Sequence, residues 1–100
     1  MKQISASDLR EKINNKETML VDFFATWCGP CKVLSEELNK IDTEVPIYKV
    51  DVEEDVDLSV LMGIRSVPAL KFIKEGEVVS TTIGLKSSKE INNLIVETLV

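Results

Sequence analysis

Two cysteines three residues apart, Cys28 and Cys31, are the only thiols in this chain of 100 residues, and no histidine accompanies them. Those facts remove several chemistries together. Without imidazole there is no Cys–His or Ser–His dyad. A metal site normally takes four ligands and finds here two thiols with no third Cys or His. What a close pair of thiols does well is thiol–disulfide exchange. Residues three apart on a helical turn hold their side chains about 5–6 Å apart. A disulfide needs Cβ atoms nearer ~3.8 Å, so slight tightening closes the bridge.

The pair lies in Trp27-Cys28-Gly29-Pro30-Cys31, where an apolar run hands over to a helical pattern. Cys28 then falls at a helix N-terminus, whose unpaired N–H groups and macrodipole stabilise a thiolate. Pro30 fits a first turn, where its missing N–H has no partner anyway. Cys31 continues into an apolar stripe with Leu34 and Leu38, so it should point inward. The expectation is an exposed, acidified Cys28 and a shielded Cys31 that resolves a mixed disulfide. Other readings carry less. A structural bridge over four residues removes only ~2 kcal/mol of unfolded-state entropy, against ~4.7 for a 100-residue loop. Gly-Pro between the thiols argues against an incidental pair, and a shared metal would need a second copy of the chain.

Asp22 is the other anomaly, a carboxylate within Met19-Leu20-Val21-Asp22-Phe23-Phe24-Ala25. Burying it is costly unless it is paired or protonated. Two readings fit it: a strand residue facing a solvent pocket, or, as the favoured one, a buried acid/base with a raised pKa, six residues before Cys28 and beneath the thiols. Lys49, on a following strand pattern, is its candidate partner, although a solvent-facing strand lysine would look the same. Pro68 opens another apolar run, and its peptide isomer is undecided by spacing alone.

The elements that must hold these groups can be read from periodicity. Ser5-Ala6-Ser7-Asp8 is a capping box before a helix through Leu9 and Ile13. The run Met19–Ala25, apolar on both faces, suits a central strand. Cys31, Leu34, Leu38 and Ile41 step by three, four and three as a helical stripe. Val45–Val52 alternates as a strand, and a helix through Leu58, Leu61 and Met62 stops at Gly63. Ala69–Ile73 and Val78–Ile83 form a hairpin around Lys74-Glu75-Gly76-Glu77. Ser87-Ser88-Lys89-Glu90 opens a last helix with Ile91, Leu94, Ile95 and Leu99 inward. The order β-α-β-α-β-α-β-β-α, with Met1–Ile4 as a short first strand, implies an α/β fold: a parallel core closed by an antiparallel hairpin.

Composition sets the outer bounds. The length fits one domain over residues 1–100 with a core of its own. Twelve bases against seventeen acids give a net charge of −5, with no basic run to support binding of nucleic acid or an anionic membrane. No apolar stretch approaches the ~20 residues of a membrane span. Residues 1–8 hold no apolar h-region, so a signal peptide is expected to be absent or already removed, and a cytoplasmic location is expected.

Val21-Asp22-Phe23-Phe24-Ala25-Thr26-Trp27-Cys28-Gly29-Pro30-Cys31-Lys32 resembles the active-site segment of the thioredoxin family. Tyr48-Lys49-Val50-Asp51, Gly63-Ile64-Arg65-Ser66-Val67-Pro68, Lys74-Glu75-Gly76 and Ile83-Gly84 resemble later family motifs in order, from about Ser5 to the C-terminus. CxxC alone is a weak signal; WCGPC with that series is a strong one. The resemblance implies a central mixed sheet flanked by about four helices and a redox-active Cys28–Cys31 disulfide. Cys28 would attack and Cys31 resolve, with Asp22 as proton acceptor and Lys49 tuning it. It further implies a cis Pro68 facing the disulfide, and a docking surface made of Trp27, Gly29, Pro30, Val67 and Gly84. No cofactor or metal is implied. The partners would be disulfide-containing clients and a thioredoxin reductase, serving a cytoplasmic monomer.

The chain departs from the commonest family pattern at Phe24, where Trp is usual, and at Ala69, where Thr is usual. Glu36 stands in place of a helix proline, so the helix from about Pro30 to Asn39 is expected to be straighter. Two other classes of function compete. One is a non-catalytic assembly subunit using the same apolar surface; the other is a dimer bridging a metal through its thiols.

Overall fold

A computed structural model describes all 100 residues. The chain forms β1 (Lys2–Gln3), α1 (Ala6–Asn14), β2 (Met19–Phe24), α2 (Gly29–Asn39), β3 (Ile47–Asp51), α3 (Val56–Leu61), β4 (Ala69–Lys74), β5 (Glu77–Ile83) and α4 (Ser88–Thr98). The strands make one mixed sheet in the order β1-β3-β2-β4-β5. β1 and β2 both pair parallel with β3, while β4 pairs antiparallel with β2 and with β5. The closing hairpin therefore supplies an interior strand as well as an edge. The short first strand forms: Lys2 and Gln3 register with Tyr48 and Lys49, and the Ile4 N–H bonds the Lys49 carbonyl.

Alternation along the central strands sorts the core into two layers. Met19, Val21, Phe23, Ala69 and Ile73 pack with Leu9 of α1 and Leu58 of α3. Leu20, Leu70 and Phe72 pack with Leu34 and Leu38 of α2 and with Ile91 and Ile95 of α4. Because strand side chains alternate faces, Asp22 shares the face of Leu20 and lies under α2.

Helix ends follow local chemistry. Ser5 and Asp8 form a reciprocal capping box at α1, as do Ser87 and Glu90 at α4. Asp55 caps α3, and Gly63 follows that helix at φ +70°. The β4–β5 turn is two residues, Glu75 and Gly76, both at positive φ (50° and 81°), as a type I′ hairpin requires. α2 runs unbroken through Glu36, whose N–H takes the place of the missing donor a proline would bring.

Candidate active site

The site grows out of the β2–α2 junction. β2 ends at Phe24, and Cys28 becomes the N-cap of α2 in an extended conformation, with Pro30 in the first turn. The Cys31 N–H, one of the donors left free at a helix start, points at the Cys28 sulfur at 3.1 Å. Cys28 and Cys31 are joined as a disulfide with Cα atoms 5.3 Å apart.

The unequal exposure expected of the thiols is not what this form shows. Cys28 is 4% exposed and Cys31 3%, clustered with Ala25 and flanked by Phe24, Val52 and Val67. The reason is covalent: bonded sulfurs share one environment. Their electrostatic inequality remains, since it is the Cys28 sulfur that receives the helix N–H.

Asp22 is 1% exposed, and neither carboxyl oxygen has a hydrogen-bond partner. Burial pushes its pKa from 3.8 up to about 7, and the positive charge of Lys49 pulls it partly back. The two residues are register neighbours across β2 and β3. They do not form the ion pair read from the sequence; the ion pairs of the fold lie elsewhere. The Lys49 ammonium instead sits over the Phe24 ring, 5.2 Å from its centroid. Phe24 follows Asp22 by two and so shares its face, which holds the cation beside the carboxyl rather than on it.

Asp22, Lys49 and Cys31 line one pocket of about 310 Å³ with Phe24, Thr26, Lys32 and Ser35. The role of Phe24 under Lys49 and the place of Ser35 were missed from the sequence. Ser35 stands four residues after Cys31, so helical spacing was the signal that could have found it.

The loop before β4 completes the site from the other side. The Val67–Pro68 peptide bond is cis and Pro68 is buried. Val67 packs against the sulfur cluster, and its backbone N–H and C=O take part in none of the loop hydrogen bonds. The Pro68 carbonyl accepts the Gly84 N–H at 2.8 Å, with Gly84 at φ +84°, so the end of β5 is tied to this loop. Trp27 is 72% exposed, and Gly29 and Pro30 are exposed beside it.

The thioredoxin family profile matches residues 1–97. The chain is 38% identical to a thioredoxin of Bacillus subtilis (strain 168) over 81 residues, covering 77% of this chain and 78% of that one. It is 37% identical over 89 residues to a thioredoxin of Listeria monocytogenes, covering 85% and 86%. Among solved structures, Malassezia sympodialis thioredoxin superposes with a TM-score of 0.86 at 31% identity, covering 100% of this chain and 91% of that one. Chloroplastic thioredoxin z superposes at 0.83 with 32% identity, covering 99% and 94%.

Proposed function

The chain belongs to the thioredoxin family and is a protein thiol–disulfide oxidoreductase, and we propose that its dithiol form reduces client disulfides through Cys28, with Cys31 resolving. In the first step the Cys28 thiolate attacks one client sulfur. The client S–S bond breaks, a mixed disulfide forms, and the other client sulfur leaves as thiolate. Cys31 then loses its proton and attacks the Cys28 sulfur. The mixed disulfide breaks, the second client thiol is released, and the Cys28–Cys31 bond carries the two electrons' worth of oxidation. A thioredoxin reductase returns two electrons and two protons.

The observation that carries this reading is the Cys31 N–H directed at the Cys28 sulfur from a helix start. A donor there favours the negative sulfur, as nucleophile in the first step and as leaving group in the second. Asp22 is the proton acceptor for Cys31. Its pKa of about 7 lets it take and return a proton near neutrality. The pocket it shares with Cys31, about 310 Å³, has room for water beside both groups. Lys49 tunes Asp22 by its charge. The free backbone of Val67, packed beside the sulfurs, is where a client strand pairs. Trp27, Gly29, Pro30 and Gly84 complete the docking surface.

The same reading takes residues 1–100 as one thioredoxin domain acting as a monomer in the cytoplasm. Supporting that compartment, both cysteines belong to the redox pair and neither is spent on a structural bridge. No helix is long and apolar enough to cross a membrane. A trapping experiment tests the roles. Dithiol Cys31→Ser protein mixed with a disulfide-bonded client should accumulate a covalent adduct by mass, while Cys28→Ser should give neither adduct nor turnover. Adduct from the Cys28 variant alone would reverse the assignment.

A further inference from the structure

The second step of the exchange moves a proton from Cys31 to Asp22, and the fold leaves a gap between the two groups. Asp22 is buried, yet neither of its carboxyl oxygens has a hydrogen-bond partner. Cys31 and Asp22 reach the same pocket of about 310 Å³, so the path between them runs through water held there.

What holds that water is narrowed by chemistry. Before the transfer Asp22 is a carboxylate that only accepts; afterwards it carries a proton and donates. A water between the two groups reverses its bonds as the proton passes, and its anchor has to follow. Lysine cannot, because an ammonium donates and never accepts. That sets aside Lys32 and Lys49, the second of which rests its ammonium over the Phe24 ring. A hydroxyl changes from donor to acceptor by rotating about one bond. The pocket offers two, Thr26 and Ser35. Thr26 is exposed in the loop ahead of Trp27, whereas Ser35 is half-buried within α2.

The helix aims Ser35 at the site. It follows Cys31 by four residues, which sets the two side chains about 5–6 Å apart on one face. Helical side chains tilt toward the N-terminus, so Ser35 leans over the turn that carries Cys31. A serine or threonine inside a helix often turns its hydroxyl to the carbonyl four residues back. Ser59 does so with Asp55, and Thr98 with Leu94. Ser35 makes no such bond to the Cys31 carbonyl, and its oxygen is open to the pocket rather than sealed.

We propose that Ser35 is a positioning residue for the resolving step: its hydroxyl holds the water that carries the Cys31 proton to Asp22. The proposal rests on the redox reading above. As the Cys31 S–H bond breaks, the water takes that proton and passes one of its own to an Asp22 oxygen, where an O–H bond forms. The water and the Ser35 hydroxyl end as they began, and the Cys31 thiolate is left to attack the Cys28 sulfur.

The test separates the two steps with dithiobis(nitrobenzoate), a symmetrical disulfide with coloured thiolates, mixed with excess dithiol protein in a stopped-flow instrument. The first thiolate released reports attack by Cys28 and speeds up with protein concentration. The second reports resolution by Cys31, which is intramolecular and does not. Ser35→Ala should slow the second phase about tenfold and leave the first within about twofold; proton transfer by a placed group supplies roughly 10²–10⁴-fold altogether. Alanine is the better helix former, so a merely structural serine predicts no such loss. Ser35→Thr keeps the hydroxyl and should resolve within about threefold of the wild type. In an Asp22→Asn background the alanine change should have no further effect, because the water has no acceptor to serve. An unchanged second phase in the alanine variant, a threonine variant as slow as alanine, or an equal loss without Asp22 overturns the proposal. If Asp22→Asn itself leaves the second phase unchanged, or the wild type releases no second thiolate, it is the redox reading that fails.

Discussion

Replacing Asp22 by Asn isolates the energetic consequence of burying a carboxylate without a partner. The wild-type group titrates near 3.8 when unfolded and near 7 in the fold. Below the lower value both states hold the proton, and ionisation contributes nothing against the fold. Between the two values the unfolded chain releases its proton while the native state keeps it, so stability falls as pH rises. Each pH unit costs ~1.4 kcal/mol, and the whole interval about 4 kcal/mol. Above about 7 both states are ionised and the curve levels. Roughly 2.7 kcal/mol of the loss lies between pH 5 and pH 7, by the same linkage. Asn fills a similar volume and does not titrate. The variant should therefore gain on the wild type by 2–3 kcal/mol, as an order-of-magnitude figure, between pH 5 and pH 8. The chain has no histidine, and the oxidised form has no free thiol, so little else changes charge in that window. The assay is urea denaturation of both oxidised proteins at the two pH values, with turnover of a protein disulfide measured alongside. Turnover should slow, because Cys31 loses its proton acceptor. Parallel pH profiles, or an Asn variant that is less stable at pH 8 and equally fast, would refute the reasoning and make Asp22 a structural residue.

Two further perturbations probe the surroundings of the site. Lys49→Met removes the positive charge that draws the Asp22 pKa down, so the carboxyl should titrate above about 7 in a carbon-13 NMR titration; a downward movement would contradict the geometry. Gly76→Ala sets a methyl 2.6 Å from the Ile13 carbonyl oxygen, at a backbone φ of +81°. It should cost on the order of 2 kcal/mol or more in urea denaturation while leaving the redox pair in place; unchanged stability would show that the α1 end yields freely.

Much of this protein was legible one residue at a time. Cys28 and Cys31 with Gly-Pro between them, at a strand-to-helix junction, identified the chemistry, because thiol exchange needs only two sulfurs within a helical turn. Capping boxes at Ser5 and Ser87, the Glu75–Gly76 turn and the strand run around Asp22 are local signals, and each element appears where they place it. Asp22 itself stood out because a carboxylate in an apolar strand is costly to bury unless it is paired or protonated. What only the tertiary structure decided are relations between segments distant in sequence. The hairpin's β4 lies inside the sheet, antiparallel to β2, because strand order depends on which faces α2 and α4 cover together. Lys49 rests on Phe24 rather than on Asp22, a matter of side-chain reach across two strands. The burial of Cys28 follows from a covalent bond and from Val52 and Val67, which arrive from other loops. Periodicity reports which side of an element is apolar. It carries no record of which other element comes to rest against that side, and that is where the pocket behind Cys31 is made.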